Sequence, residues 1–139
     1  MALTFEQEDE DEWVIKRVNL PGSLPPVSLD WNGEAAPSTE EIENLEKFIA
    51  NIHTLFSSSA ELILENYSYD HFKELGISED KLVEETAEAV SAVITLKHIR
   101  IYDLDGGEFE LSFIVPWDPH HSFDVEYEEN KAECCSVNG

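Results

Sequence analysis

The last part of the chain alternates apolar and polar residues with a period of two, which is typical of strands that bury one face. Tight turns interrupt the alternation, and Asp105-Gly106-Gly107 is the clearest of them. The predicted strands begin near His98 and continue through Phe109–Val115, Phe123–Tyr127 and Ala132–Val137. Since every connection between them is short, the pattern predicts a four-stranded antiparallel meander.

Two shorter apolar segments precede this meander. Residues 13–20 contain aromatic and β-branched side chains and are followed by Pro21-Gly22, which ends a strand. Residues 27–31 alternate apolar and polar positions, and Asn32-Gly33 then turns the chain. We expect one or two N-terminal strands here, extending the meander sheet.

The middle of the chain changes to the three-and-four spacing of amphipathic helices. Ser38 followed by Glu41 forms a capping-box pattern, and the apolar stripe after it reaches Phe56. A break or a kink is expected at the three serines 57–59, because serine side chains compete with helical hydrogen bonds. Further helices are expected over about 60–75 and from about residue 79. Two to three helices should therefore cover the apolar face of the sheet.

These elements predict a single α+β domain over residues 13–139. Residues 1–12 lack apolar periodicity, and they end in a run of acids. We interpret them as a flexible acidic arm. The acids of this run are Glu6, Glu8, Asp9, Glu10, Asp11 and Glu12.

The charge balance excludes several classes of function. The chain has 31 Asp and Glu residues against 8 Lys and Arg, which gives a net charge of −23. Nucleic acids and anionic membranes should be repelled, and the few basic residues are scattered among acids. The expected partner is a basic protein. Solubility, or a high-salt habitat, would also account for the acidity.

Two further observations concern location. No apolar run has the length of a membrane span, and no basic segment followed by an apolar one opens the chain. Cys134 and Cys135 are adjacent and should point to opposite faces of a strand, so a disulfide between them is not expected. We therefore expect a cytoplasmic protein, monomeric or weakly dimeric.

Residues 117–125 contain the densest group of chemically capable side chains. Metal binding could use the acids and histidines Asp118, His120, His121 and Asp124, with His98 as a further candidate. The arrangement matches no closed zinc pattern, and adjacent histidines diverge on extended backbone. We favour a turn in which Asp118 accepts backbone N–H bonds and Pro119 fixes the next φ, with Trp117 on the sheet edge.

No enzymatic signature accompanies this segment. A Gly-x-Ser-x-Gly elbow and a glycine-rich phosphate loop are both absent from the sequence. Cys134 has acidic neighbours in sequence, which disfavour a reactive thiolate. We predict no catalytic activity and no cofactor.

The order of several motifs resembles a family of small bacterial proteins of unknown function. That family has W-G-x-x-x-L-P-G near its start and W-D-x-E-H-G before a last hairpin. The matching segments here are Trp13 with Asn19-Leu20-Pro21-Gly22 and Trp117-Asp118-Pro119-His120-His121-Ser122. The family's Glu is His120 in this chain, and its final Gly is Ser122.

These proteins resemble immunity proteins of polymorphic toxin systems, which bind and neutralise a toxin domain. The resemblance implies a binding role, and it assigns no site residues. Together with the charge it favours a cytosolic inhibitor of a basic toxin domain. An inhibitor that mimics nucleic acid is the alternative, and a metal-binding protein using residues 118–124 is a third hypothesis.

The partner is expected to bind the polar faces of the last strands, with the first helix as another possibility. The predicted partner-binding residues are Glu108, Glu110, Asp118, Asp124, Glu126 and Glu128.

Overall fold

A computed structural model describes residues 3–139 of the chain. Its strands are β1 (Glu6–Asp9), β2 (Glu12–Val18), β3 (Val27–Asn32), β4 (Thr95–Asp103), β5 (Glu108–Val115), β6 (Asp118–Glu128) and β7 (Lys131–Asn138). Its helices are α1 (Thr39–Ala50), α2 (Phe56–Leu64), α3 (Tyr69–Glu74) and α4 (Ala87–Ser91), with short 3-10 segments at Ile52–Leu55 and Glu79–Lys81.

All seven strands form one sheet, and their order in space is their order in sequence. Neighbours are antiparallel, except that β3 and β4 are parallel. The helical segment between these two strands allows the parallel pairing, because such a pair requires a long crossover. The predicted meander of four C-terminal strands is confirmed as β4–β7. The sheet has more strands than the five or six expected.

The helices cover one face of this sheet. Alternate residues of the strands point towards them and form the core with the apolar helix positions. The fully buried strand residues include Leu29, Ile99, Leu111, Phe113 and Val125, and the helical ones include Leu45, Ile49, Ile52, Ile63 and Val90. Among residues 3–139, none of the helices lies over the opposite face of the sheet.

The start of α1 follows the sequence prediction. The backbone N–H of Glu41 donates to Ser38 Oγ at 3.2 Å, and the backbone N–H of Ser38 donates to Glu41 Oε1 at 2.9 Å. Both bonds of the capping box are therefore present, and they satisfy donors that the first turn of a helix leaves free.

The serines at 57–59 do not break the helical region. They lie inside α2, where Ser58 Oγ and Ser59 Oγ lie 2.7 and 2.6 Å from the hydroxyl of Tyr127. This long-range contact gives two of the serine hydroxyls a partner on β6, and Ser58 Oγ also donates to the Leu55 carbonyl at 3.1 Å, one turn earlier, without ending the helix. The helix expected over 60–75 is two helices, α2 and α3, separated at 65–68.

The helix expected from residue 79 is also shorter than predicted. A 3-10 segment occupies 79–81, and α4 begins only after Thr86, whose Oγ1 accepts from the backbone N–H of Ala89 at 3.1 Å. The β-branched residues that follow enter β4 at Thr95.

Part of the segment expected to be a flexible arm is a strand. Glu6–Asp9 pair with β2 as β1, and Glu12 belongs to β2 itself. The side chains of β1 are exposed, so backbone pairing holds the strand itself, while Phe5, just before it, packs against Trp31 with ring centroids 6.3 Å apart. Periodicity does not detect such a strand. Residues 1 and 2 of the expected arm lie outside the described residues.

The turn expected over 117–122 is confined to residues 116 and 117, and β6 begins at Asp118. Trp117 is 1% exposed instead of lying on the sheet edge. Its ring packs against Tyr67 and Phe72, at centroid distances of 4.2 and 6.5 Å. The loop before α3 and α3 itself thus cover the tryptophan, which the local pattern does not reveal.

Candidate functional site

The uncovered side of the sheet, here the open face, brings polar residues of five strands into two rows. Directly opposite residues of neighbouring strands project to the same face, so the register defines these rows. One row is Asp30, Arg100, Glu110, Glu126 and Cys134, and the next is Ser28, His98, Ser112, Asp124 and Ser136.

Five of the six predicted partner-binding residues belong to this face, and we call them the acidic strip. The strip consists of Glu108 and Glu110 on β5 with Asp124, Glu126 and Glu128 on β6. Glu110 lies directly opposite Glu126, and three strip glutamates line one shallow cavity of about 200 Å³. The strip is therefore a continuous surface on two neighbouring strands.

The carboxylates of the strip repel one another. The pKa of Glu110 is raised by partial burial, by the nearby Asp124 and, to a smaller extent, by Glu126, while Arg100 opposes the rise. The guanidinium of Arg100 donates to Asp30 Oδ2 at 3.2 Å, on the side away from β5. The negative charge of the strip is thus only partly compensated within the protein.

Asp124 has one carboxylate oxygen in contact with neighbours and one without a partner. Its Oδ2 accepts from Asn138 Nδ2 at 2.6 Å and from Ser122 Oγ at 3.4 Å. Its Oδ1 is buried and has no hydrogen-bond partner within residues 3–139. A buried oxygen of this kind would gain from a donor that a bound molecule supplied.

Asp118, the sixth predicted residue, lies apart from the strip. Asp118 is opposite Val115, and Phe123 is opposite Phe113. Four residues of β6, 119–122, therefore face a single residue of β5, Ile114, and this register shift separates Asp118 from the strip. Asp118 Oδ1 lies 2.6 Å from His121 Nδ1. This side-chain contact replaces the backbone hydrogen bonds expected of an Asx turn.

The residues considered for metal binding do not converge. Asp118 pairs with His121, whereas Asp124 is on the open face and His120 is exposed. Within residues 3–139 there is no group of three or more His, Cys, Asp or Glu side chains that could hold a metal ion.

A polar cluster that sequence reasoning missed joins β3 to β4. Ser28 Oγ lies 2.5 Å from His98 Nδ1, and Asp30 Oδ2 lies 3.4 Å from His98 Nε2. Asp30 is only 9% exposed. Burial lowers the pKa of His98, and the neighbouring Arg100 acts in the same direction, while Asp30 opposes them.

Serine, histidine and aspartate also form catalytic triads, but this cluster differs from one. The separation of 3.4 Å between Asp30 and His98 Nε2 does not make a hydrogen bond, and Asp30 is engaged by Arg100. We interpret the cluster as a polar network that fixes the parallel pairing of β3 with β4. Alternation could suggest that Ser28 and Asp30 share a face, but the sequence does not indicate that β4 lies beside them.

The negative character continues across β2. The pKa of Glu12 is raised chiefly by the nearby carboxyl group of Asp30. A cavity of about 250 Å³ lies beside this pair, and its lining includes Glu8, Lys16 and His98. The open face therefore has carboxylates on β2 and β3 as well as on β5 and β6, with Arg100 and His98 of β4 between them.

Neither cysteine is activated as a nucleophile. Cys134 Sγ donates to Glu126 Oε2 at 3.2 Å, and this hydrogen bond raises its pKa. Burial raises the pKa of Cys135 to about 12. Both thiols therefore stay protonated near neutral pH.

Comparisons of the chain with protein-family models, with curated proteins and with solved structures found no match. No helix within residues 3–139 is long and apolar enough to cross a membrane. The geometry and charge of the open face are therefore the basis for a functional proposal.

Proposed function

We propose that the protein is a cytosolic immunity or inhibitor protein, and that it binds a basic toxin domain through the acidic strip. The supporting observation is the position of the strip: five carboxylates lie on two adjacent strands, on the face of the sheet that no helix covers. The protein as a whole has a net charge of −23.

Such a surface suits rapid capture of a basic partner. Electrostatic attraction between complementary surfaces increases association rates by roughly 10- to 10³-fold, and salt weakens the effect. The strip is also built on paired strands rather than on a loop, so little conformational entropy is lost when a partner binds.

The raised pKa of Glu110 gives a second reason to expect a cationic partner. Burial beside Asp124 and Glu126 disfavours the charged form of Glu110 in the free protein. A lysine or arginine placed between these carboxylates would relieve the repulsion. It would also offer a donor to the unpartnered Oδ1 of Asp124.

An inhibitor that mimics nucleic acid is the alternative, because the strip carries carboxylates along two parallel lines, one on β5 and one on β6. These two lines lie on neighbouring strands, which are about 4.8 Å apart in any sheet. The grooves of duplex DNA are about 12 and 6 Å wide, and both exceed the strand spacing, which favours a surface that meets separate cations over a copy of a duplex.

Co-expression with the product of the adjacent gene tests the proposal. We expect that product to be toxic alone, to be neutralised by this protein, and to form a stoichiometric complex with it. The strip variant removes five charges through the substitutions E108Q, E110Q, D124N, E126Q and E128Q. The matched control also removes five charges through E43Q, E61Q, E65Q, E84Q and E85Q, at exposed positions in or near the helices.

The strip variant should bind at least about 100-fold more weakly, with a shallower salt dependence, and the control should change binding by less than about threefold. Asp118→Asn should also have little effect, since Asp118 lies apart from the strip. Equal losses in the strip variant and its control would show that overall charge, not this face, binds the partner. A neighbour that is harmless and does not bind would refute the immunity proposal.

A further inference from the structure

The two edges of the sheet differ in how they are protected. Edge strands expose unpaired backbone groups, and proteins shield them with short strands, charges and irregular pairing. β1 has all three features: it has four residues, three of them acidic, and its register shifts between Gln7 and Asp9. β1 is therefore a poor template for another strand.

β7 has such protections only at its start, where Lys131 and Glu133 are charged and the register with β6 shifts at Glu133; from Cys134 to Asn138 its pairing is regular. It has eight residues, and the four from Cys134 to Val137 are uncharged. Val137 is 43% exposed. Within the described part of the chain, the backbone of residues 131–138 makes no hydrogen bond outside its strand pairing with β6. Its outer backbone groups are therefore available to another strand.

The two sides of β7 also differ in chemistry. On the helix side lie small apolar groups, Ala132, Cys135 and Val137, opposite Tyr127, Val125 and Phe123. On the open side lie the short side chains of Cys134, Ser136 and Asn138, opposite Glu126, Asp124 and Ser122. A strand added beside β7 would thus meet apolar groups on one side and strip carboxylates on the other.

We infer that β7 accepts an extended segment of the basic partner as an eighth strand, with alternating basic and apolar residues. This inference rests on the proposed function, since it names the way in which the same partner binds. A second copy of the chain is disfavoured as the occupant, because two copies of net charge −23 repel each other.

The carboxylates of β6 are already directed towards β7. Glu126 Oε2 accepts from Cys134 Sγ at 3.2 Å, and Asp124 Oδ2 accepts from Asn138 Nδ2 at 2.6 Å. A strand beside β7 lies about 4.8 Å beyond it, and a lysine or arginine side chain is long enough to extend back over a short residue. The basic residues of the added strand would therefore reach Glu126 and Asp124.

Two synthetic peptides of equal charge test strand addition without the natural partner. The first alternates lysine and valine over about eight residues, and the second has proline in place of each valine. Proline lacks the N–H that a strand ladder needs, so the first peptide should bind at least about tenfold more tightly. Amide hydrogen exchange should then slow in residues 131–138.

A pair of protein variants locates the site. Ser136→Lys places a cation on the open side of β7, and Gln7→Lys makes the same change in charge on β1. The first should weaken binding of the lysine-valine peptide by about tenfold, and the second by less than about twofold. Thermal unfolding of both variants checks that each is folded.

Several outcomes would overturn the inference. Equal binding of both peptides would show that the protein recognises only their charge. Unchanged amide hydrogen exchange in residues 131–138 would show that the peptide does not pair with β7. If neither peptide binds while the adjacent gene's product still does, β7 is not the docking edge and the immunity proposal survives. A dimer that forms through β7 would identify a second copy as the occupant.

Discussion

The two sides of β5 show how one strand divides its residues between stability and binding. On the helix side Phe109, Leu111, Phe113 and Val115 are buried, and on the open side Glu108 and Glu110 meet the acids of β6. The apolar side requires the cover that the helices give it. The acidic side requires no cover, and its like charges oppose folding. Residues that do not help the fold are the better candidates for function.

The largest expected effect is on the covered side. Phe113 is fully buried, and its ring packs edge-on against Phe56 with centroids 5.3 Å apart. Phe113→Ala should reduce the free energy of unfolding by about 3–5 kcal/mol, because it leaves a cavity. Its neighbour on the open face is the control, and Ser112→Ala should change the value by less than about 0.5 kcal/mol. Urea unfolding measures both, and equal losses would contradict the division between the faces.

A smaller loss of stability is expected from removing a polar group that is buried on the helix side of the sheet. The hydroxyl of Tyr127 lies 2.7 and 2.6 Å from Ser58 and Ser59 and donates to the Leu55 carbonyl at 2.9 Å. Tyr127→Phe should reduce the free energy of unfolding by about 1–3 kcal/mol, because the buried hydroxyl of Ser59 loses a hydrogen-bond partner. The half-exposed Tyr102 supplies the control, and Tyr102→Phe should cost less than about 0.5 kcal/mol. A neutral Tyr127→Phe would mean that water satisfies these serines.

The next prediction concerns pH and the polar network of the open face. Burial lowers the pKa of His98 below its ordinary 6.5, so at mildly acidic pH the unfolded chain binds more protons there than the folded one. This site should therefore lower stability as pH falls through 6.5 towards the lower folded pKa. The charged groups that act on His98 are Asp30, Arg100 and Asp124.

Unfolding at a series of pH values from neutral to mildly acidic tests this sign. His98→Gln should make the loss of stability on acidification less steep, and His120→Gln, at an exposed position, should not. An unchanged slope in the His98 variant would show that its ring is charged as easily in the folded protein as in the unfolded chain.

The smallest expected effect has the opposite sign and belongs to the acidic strip. The pKa of Glu110 is raised, so the charged carboxylate is disfavoured in the folded state above that pKa. Glu110→Gln should stabilise the protein near pH 7, by about 0.5 kcal/mol or less once solvent screening is allowed for. The gain should shrink as pH falls through the raised pKa, and also in high salt. Glu43→Gln on α1 is the control, and a destabilised Glu110→Gln would show that this carboxylate supports the fold.

The pattern of neighbouring residues was sufficient to predict a large part of the secondary structure of this protein. The alternation along β4–β7 follows from the period of a strand, and the Ser38–Glu41 capping box involves residues one turn apart. The same alternation placed Glu110, Asp124 and Glu126 on one face, because the pairing of β5 with β6 requires only a short turn. Short-range geometry thus determined the meander and most of the acidic strip.

Residues that depend on distant partners were assigned wrongly or missed. Trp117 is buried because Tyr67 and Phe72 lie over it, and Ser58 and Ser59 of α2 have a distant partner in the hydroxyl of Tyr127. The strand β1 has no apolar side, so its pairing with β2 leaves no trace in hydrophobic periodicity.

The sequence by itself determined the α+β class, the C-terminal meander, the start of the first helix and the acidity of the open face, because each follows from the spacing or charge of nearby residues. The end of that helix, at Ala50 rather than near Phe56, did not follow from it. Only the tertiary structure decided that β3 lies parallel to β4. That pairing joins Ser28 and Asp30 to His98 and Arg100 across about 70 residues of chain. The tertiary structure also decided that Asp118 lies apart from the other five acids. Strand pairing over such distances depends on the packing of the whole core, and no local pattern encodes it.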